Sequence, residues 1–385
     1  MRRLNLTPQT IKTTVLCALL LLINACARET PFSVQRFEPD AYPKLLSDWQ
    51  ILTHKEGKLA RANDTLIYTI NTPLFADYTL KLRTISLPEG TQAKFRDYDV
   101  LDFPVGTVIS KTFYYNTNDV PLTEAAGLRP ALFSNNSILS VDTRDTHLLE
   151  TRLLIHTAAG WQALPYVWND DQSDATLSLT GAIKSIGDNI YVVPSKDECA
   201  SCHALGQAKV VHPIGPKARH LHTSNADSSN ADSPSALEAL IHRSWLSAPA
   251  DLTAIKTNAR WLPGSDPKEF TDSELTHRAR SYLDANCGHC HNPEGSADTS
   301  HLFLDYANHS DRTLGECKPP VAAGRGTGGH LYGIVPGAPE QSILSYRMRS
   351  TNPGRMMPET GRTRVHEEGV NLIDEWIRRQ TGSCS

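Results

Sequence analysis

Two pentapeptides in the second half of the chain combine cysteine and histidine at a spacing that supports one particular chemistry. They are Cys199-Ala-Ser-Cys202-His203 and Cys287-Gly-His-Cys290-His291. Two thiols at this spacing reach the two vinyl groups of one porphyrin and form thioethers, and the following histidine becomes the proximal iron ligand. With 8 cysteines and 15 histidines in 385 residues, fewer than about 0.01 such matches are expected by chance. Each pentapeptide therefore predicts one covalently attached c-type haem, so two haems are expected in the chain.

The first 25 residues are typical of an export signal. A basic start precedes an apolar run from Val15 to Ile23, which spans about 14 Å as a helix and is too short to cross a membrane. The segment Ile23-Asn24-Ala25-Cys26 resembles a bacterial lipobox, so Cys26 is the predicted lipidation site. We expect a signal peptide at 1–25 and a protein of the cell envelope, in the periplasm or anchored to the outer membrane. Simple secretion after cleavage near this point is the alternative.

Other uses of paired cysteines explain less of the pattern. A Cys₄ zinc site would use both C-x-x-C pairs but gives no role to a histidine after each second cysteine. A thioredoxin-like redox pair needs a βαβ context, which neither pentapeptide has. An iron–sulfur cluster is poorly suited to the oxidising compartment that an export signal implies.

Composition limits the class of protein and its partners. Hydrophobic residues make up 39% and charged residues 21% of the chain, which excludes a polytopic membrane protein and a wholly disordered chain. Without the signal, 35 basic and 42 acidic residues give a net charge of -7, so no nucleic acid is expected as a partner. We expect redox proteins as partners and contact with a membrane through the lipid anchor.

The region before the pentapeptides favours short strands. Apolar and β-branched runs alternate with turn residues such as Pro88-Glu89-Gly90, a spacing typical of an antiparallel sandwich. The clearest runs are Thr65–Thr69, Val105–Tyr115, Thr151–Thr157 and Trp161–Trp168. We expect a β-rich domain over 40–193, followed at 194–235 by the first haem-attachment segment and a polar linker.

Helical patterns follow the polar stretch. The candidate helices are Ala236–Trp245, Ser273–Asn286, Ala338–Met348 and Val365–Arg379. The expected fold is therefore multidomain, with an N-terminal all-β sandwich-like domain followed by an all-α cytochrome c-like haem domain at 236–385.

The sequence around the second pentapeptide indicates both a domain type and a sixth iron ligand. A predicted helix ends directly before Cys287, and a Met-Pro sequence at Met357 and Pro358 precedes the last helix. A helix, a C-x-x-C-H motif, a Met-Pro loop and a closing helix resemble a class I cytochrome c domain. In that fold the methionine before the proline is the sixth iron ligand, so the resemblance implies Met357, with Met356 as its nearest competitor. Coordination by histidine and methionine raises the haem potential relative to two histidines.

The first pentapeptide has less around it. No methionine is close in sequence, and its candidate sixth ligands are His212, His220 and His222, or none. We prefer His220. Lysines and arginines in the same stretch, which could neutralise haem propionates, are Lys209, Lys217 and Arg219.

Two cysteines of the mature chain remain. Cys317 and Cys384 form an even pair in an oxidising compartment, which predicts a disulfide between them.

Longer segments with a recognisable sequence pattern extend over nearly the whole mature chain. They lie at Tyr42–Trp49, Asn71–Tyr78, Phe103–Phe113, Ala163–Asn169, Asn286–Gly295 and Met356–Pro358. On these segments the sequence resembles a bacterial family of diheme c-type cytochrome lipoproteins. The resemblance implies haem binding and electron transfer.

These patterns together predict an exported, lipid-anchored electron carrier with haems attached at Cys199/Cys202 and Cys287/Cys290, ligated by His203 and His291. No catalytic residue is predicted. One alternative is a diheme peroxidase-like enzyme with an open first haem, which needs an acid–base group beside it. Another is a surface binding module in which the β-rich domain docks a partner and the haems form a relay.

Overall fold

A computed structural model describes residues 32–119, 132–133, 135–206, 210–222, 235–247, 249, 251–321 and 323–384. From Ser33 onward these residues belong to one compact unit. The predicted signal peptide with Cys26, and residues 223–234 of the predicted linker, lie outside the described residues.

Strands occupy much of the first half of the chain. In chain order they are β1 (Leu52–Lys55), β2 (Lys58–Arg61), β3 (Leu66–Ile67), β4 (Leu80–Ser86), β5 (Ala93–Lys94), β6 (Val108–Asn116), β7 (Ser140–Asp142), β8 (Thr146–Thr157), β9 (Gly160–Trp168), β10 (Ala175–Leu177), β11 (Ala182–Ile186), β12 (Asn189–Val193), β13 (Ala204–Leu205), β14 (Val210–Val211) and β15 (Leu246–Ser247).

The largest sheet is antiparallel throughout, with its strands in the order β10-β9-β8-β6-β4-β3. Smaller sheets are formed by β1-β2-β7, β11-β12 and β13-β14, and by the parallel pair β15-β5. Between β1 and β2, Glu56 and Gly57 both have a positive φ, as the tightest two-residue hairpin turn requires. Long β-branched runs and short turns thus build the sheet that the sequence predicts here.

Helices follow the last long strands. They are α1 (Lys196–His203), α2 (Ala218–Leu221), α3 (Ala236–His242), α4 (Asp272–Asn286), α5 (Asp311–Leu314), α6 (Ile343–Arg349) and α7 (Glu367–Arg378). A capping box begins α4, where Thr271 and Glu274 each accept a hydrogen bond from the other's backbone N–H. Among the described residues, no helix combines the length and apolarity needed to cross a membrane.

Two of the apolar clusters among the described residues involve the helices. One joins Ile85 and Ile109 of the large sheet to Leu221 of α2 and Leu240 of α3. The other packs α4, α6 and α7 around side chains that include the fully buried Ile373. Burial of one such side chain contributes about 1.5–3 kcal/mol. Helices α2 and α3 therefore share their core with the sheet, not with α4 and α7.

The expected succession of an all-β sandwich-like domain and an all-α cytochrome c-like domain is wrong. The described chain is mostly antiparallel sheet with seven α-helices, and no all-α haem domain is formed. Strands β13 and β14 lie in the segment assigned to haem attachment, and β15 pairs with β5 of the N-terminal half. The predicted helices were found near their expected positions, but beyond residue 250 only α4 and α7 exceed eight residues. Pairing between distant segments, which no local pattern encodes, is the physical reason for the difference.

Candidate cofactor site

The first pentapeptide lies on helix α1. A capping box between Ser195 and Glu198 begins this helix and satisfies the backbone N–H groups of its first turn. Cys199 is buried, whereas Cys202 and His203 keep partial exposure. The helical conformation brings both cysteines and the histidine to the same wall of a cavity.

The second pentapeptide forms a tight turn directly after α4. Cys287 is the C-cap of α4, and its carbonyl accepts hydrogen bonds from the backbone N–H groups of Cys290 and His291, at 3.1 and 2.9 Å. A Cβ atom at Gly288 would lie 2.8 Å from the Asp305 Cα and 2.9 Å from the Asp284 carbonyl oxygen. Glycine is therefore the residue that fits between the two cysteines at this position.

The two pentapeptide histidines form the same kind of hydrogen bond. The Nδ1 of His203 donates to the His212 carbonyl at 2.8 Å, and that of His291 to the Leu302 carbonyl at 3.2 Å. A carbonyl only accepts, so each Nδ1 carries the proton and each Nε2 keeps a free lone pair. Burial lowers the pKa of both histidines to about 4. Both rings are therefore neutral at pH 7, the form that binds a metal.

Both pentapeptides open into one cavity of about 1240 Å³. Single small-molecule sites typically measure about 300–1,000 Å³, so this volume exceeds that of one ordinary ligand. The cavity is lined by the four pentapeptide cysteines, by His203 and His291, and by Met357 and His220.

The second cysteines of the two pentapeptides meet inside this cavity. The Sγ atoms of Cys202 and Cys290 and a ring nitrogen of His289 all lie within 4.8 Å of one another. The interaction between the Cys202 and Cys290 side chains lowers the pKa of Cys202 to about 3 and raises that of Cys290. Cys199 and Cys287 do not join this group, and burial raises the pKa of both thiols.

Met357 and Met356 point to different surroundings. Met357 lines the cavity, whereas Met356 is buried outside it. Arg362 holds the loop of Met357 in place, because its guanidinium donates to the carbonyls of Met357 and Ser350 at 2.9 and 2.7 Å. Met348 also lines the cavity, but it belongs to the apolar core around α6.

His220 lies at the cavity wall in a buried polar network. Its Nε2 contacts the Asp284 carboxylate at 2.9 Å, so Nδ1 is the ring nitrogen left for another partner. Asp284 also accepts two hydrogen bonds from Arg219, at 2.9 and 2.7 Å. The Nδ1 of His212 faces the Pro213 carbonyl at 2.9 Å, and that of His222 is buried without a partner among the described residues.

His366 also lines the cavity, although no spacing in the sequence indicates it. It precedes α7, its ring stacks on Phe75 with centroids 4.4 Å apart, and its Nδ1 lies 3.0 Å from the Tyr282 hydroxyl. Burial lowers the pKa of His366 to about 3. A neutral histidine thus faces the cavity from the side of the second pentapeptide.

Cys317 and Cys384 are joined at an S–S distance of 2.08 Å across 67 residues of sequence. This link fastens the C-terminal segment to the loop that follows α5.

Comparison with known proteins finds no matching family model, no similar curated protein and no similar solved structure.

The residues around the cavity suit c-type haem better than a Cys₄ zinc ion. A tetrahedral zinc site needs all four sulfurs around one point, but Cys199 and Cys287 stand apart from the Cys202–Cys290 contact. Haem attachment needs the arrangement present here, which is two cysteines and a neutral histidine with free Nε2 in each pentapeptide.

Proposed function

We propose that this protein holds two covalently attached c-type haems in one shared cavity and transfers electrons between partners in the cell envelope. The observation that carries the proposal is the common cavity, since both pentapeptides line it and their second cysteines meet there. When bound, such a haem supplies an iron that gains and loses one electron.

The chain's own residues would have distinct tasks in this function. The four pentapeptide cysteines form the covalent attachments, and His203 and His291 offer Nε2 to the two irons. The carbonyls of His212 and Leu302 fix the tautomer and the ring orientation of these histidines. Met357, in the loop between α6 and α7, would be available as a ligand for the second group, and Arg362 fixes that loop.

Intact-mass spectrometry tests the proposal directly. Protein produced with a c-type haem attachment pathway should carry two haem adducts. Replacing Cys199 and Cys202 by alanine should remove one adduct, and replacing Cys287 and Cys290 should remove the other. The matched control replaces Cys317 and Cys384 by serine, which should leave both adducts in place. Colourless wild-type protein without adducts would exclude the proposal.

A second candidate is a transition-metal site formed by Cys202, His289 and Cys290. The proximity of these three ligand atoms favours it, because thiolate and imidazole suit zinc and copper. Protein made without haem attachment should then bind one equivalent of zinc, and His289→Ala should abolish this binding. The haem proposal instead expects Cys202 and Cys290 to be thioethers, with no metal at this point.

A further inference from the structure

A row of positive side chains lies on the face of the large sheet that lines the cavity. Arg83 on β4 is paired directly with Lys111 on β6, and Lys111 is paired with Arg152 on β8. All three residues line the cavity. Directly opposed residues on neighbouring strands have Cβ atoms about 5 Å apart, and like charges in such positions repel. We call these three residues the basic row.

The basic row has too few acidic partners. Arg152 forms a bidentate ion pair with Glu150 at 2.6 and 2.7 Å, and Glu150 also accepts from the Tyr191 hydroxyl. The side chains of Arg83 and Lys111 form no hydrogen bond or ion pair among the described residues. Arg83 is only 8% exposed, and Lys111 lies 5.2 Å from the centre of the Phe113 ring. Two cations thus remain without a carboxylate.

Charges shielded from water need a partner, because transfer away from water strongly disfavours an isolated ion. Burial lowers the pKa of Arg83, and burial followed by the charges of Arg152 and Arg83 lowers that of Lys111 to about 7. Asp77, which precedes β4, already accepts from the backbone N–H groups of Thr363 and Arg364. Within the described ranges, Glu150 is therefore the only carboxylate that forms an ion pair with the basic row.

The basic row is also close to the first pentapeptide. Lys111 and Arg152 both interact electrostatically with Cys199 of α1. By contrast, Arg219, a candidate partner for propionates in the sequence, is saturated by Asp284 and by the Tyr98 carbonyl. An anionic group that enters the cavity therefore meets Arg83 and Lys111 without a carboxylate partner on the sheet, whereas Arg219 beside His220 is already paired.

We propose that Arg83, Lys111 and Arg152 form a binding site for an anionic oxygen group inside the shared cavity. The guanidinium fork of Arg83 matches a carboxylate or oxyanion with two parallel hydrogen bonds, and Lys111 adds a point charge beside it. Two sources have this chemistry: the carboxylates of a porphyrin held at the first pentapeptide, or a free small oxyanion. The first source rests on the proposed function, whereas the second does not.

Inorganic phosphate is the probe for the experiment. Isothermal titration calorimetry compares full-length protein made with and without haem attachment, for wild type, Arg83→Gln and Lys111→Met. Lys81→Met is the matched control, because Lys81 is on the same sheet face but outside the cavity and donates to the Thr79 carbonyl. Each cavity variant should weaken phosphate binding roughly 10-fold or more, since a charge-assisted hydrogen bond is lost. Arg83→Lys keeps the charge and should restore part of the affinity.

The form of the protein that binds phosphate, with or without porphyrin, identifies the source of the anion. Binding only without porphyrin indicates that its carboxylates fill the site, and resonance Raman bands of the propionates should then shift in Arg83→Gln but not in Lys81→Met. Binding in both forms indicates a free oxyanion. The site is refuted if Arg83→Gln and Lys111→Met bind phosphate as wild type does, or if neither form binds phosphate and the Raman bands do not change. Failure of haem attachment would refute the proposed function. Phosphate binding to the chain without haem would still test whether the basic row is an anion-binding site.

Discussion

Arg219 and Asp284 form a buried bidentate ion pair that joins the segment after the first pentapeptide to the helix before the second. The side chains are 2% and 0% exposed, and one N–O distance is 2.7 Å. Asp284 also accepts hydrogen bonds from His220, Asn258 and the backbone N–H of Tyr306. These bonds hold the pKa of Asp284 well below its ordinary value, against the opposing effect of burial. The two candidate haem segments are therefore connected through one carboxylate.

Replacement of either partner of this pair should strongly destabilise the protein. Arg219→Met leaves a buried carboxylate and Asp284→Asn leaves a buried guanidinium, so each should lower the free energy of unfolding by about 3–5 kcal/mol. The double variant should cost less than the sum of the two, because the residues are in contact. Urea unfolding measures these values. The control Arg144→Gln breaks an exposed pair with Asp142 and should change the free energy of unfolding far less, because solvent screens such a pair. Equal losses in both pairs would contradict this interpretation.

Local patterns in the sequence predict the elements well but not their pairing. The apolar spacing predicts a helix over Ser273–Asn286, which is within one residue of the observed α4. The run Trp161–Trp168 predicts β9, observed as Gly160–Trp168. Nothing local indicates that β15 pairs with β5, and this long-range contact is one reason why the predicted domain succession is wrong.

The candidate site also combines features that local sequence predicts with features that only the tertiary structure creates. The pentapeptides carry their own signature, whereas the basic row exists only because the strand register sets Arg83 opposite Lys111. In the sequence each of these residues is an ordinary cation in a strand. His366 likewise gains its place at the cavity from the packing of Phe75 and Tyr282 around it.

The two adjacent methionines should respond differently to truncation. Met357→Ala removes a side chain from the cavity wall, and we expect a changed visible spectrum and a lower reduction potential at one haem. Met356→Ala should leave the spectrum unchanged but lower the free energy of unfolding by about 2–5 kcal/mol, since that side chain is buried. Potentiometric titration and thermal unfolding of both variants measure this. A normal spectrum in Met357→Ala with an altered one in Met356→Ala would reverse the assignment.

Gly288→Ala should prevent correct formation of the turn between Cys287 and Cys290. The added Cβ would lie 2.8 and 2.9 Å from backbone atoms of Asp305 and Asp284, which cannot move as a flexible side chain does. We expect a loss of about 1–3 kcal/mol from overpacking and fewer haem adducts at the second pentapeptide. Gly354→Ala is the control, because its nearest neighbour would be a side-chain atom at 3.5 Å. Equal adduct counts and stability in the two variants would argue against the steric role.

Removal of the link between Cys317 and Cys384 should destabilise the folded chain without affecting haem attachment. Closing a loop of 67 residues stabilises by about 4 kcal/mol in the chain-entropy treatment. We expect Cys317→Ser with Cys384→Ser to unfold at a lower urea concentration than wild type. Addition of a reductant should lower the midpoint of the wild type and leave that of the variant unchanged. If the reductant lowered the midpoint of the variant by the same amount, the effect would come from other thiols and not from this disulfide.

Lys111 should make the stability of the porphyrin-free protein depend on pH. Its pKa falls to about 7 in the folded chain from about 10.4 in an unfolded one. The unfolded state therefore binds more protons between these values, and stability rises with pH across this window. Lys111→Met removes the cost of the buried charge, so it should exceed wild-type stability by about 1–3 kcal/mol at pH 6. The difference should disappear near pH 10.

Thermal unfolding from pH 6 to 10 in buffers without phosphate or sulfate measures this difference, because an anion bound at the basic row would supply Lys111 with a partner. Lys55→Met, at an exposed strand end, is the matched control and should follow the wild-type profile. Added phosphate should raise wild-type stability at pH 6 and have little effect on Lys111→Met. A wild-type profile parallel to that of Lys111→Met at all pH values would show that Lys111 is already paired in the folded chain.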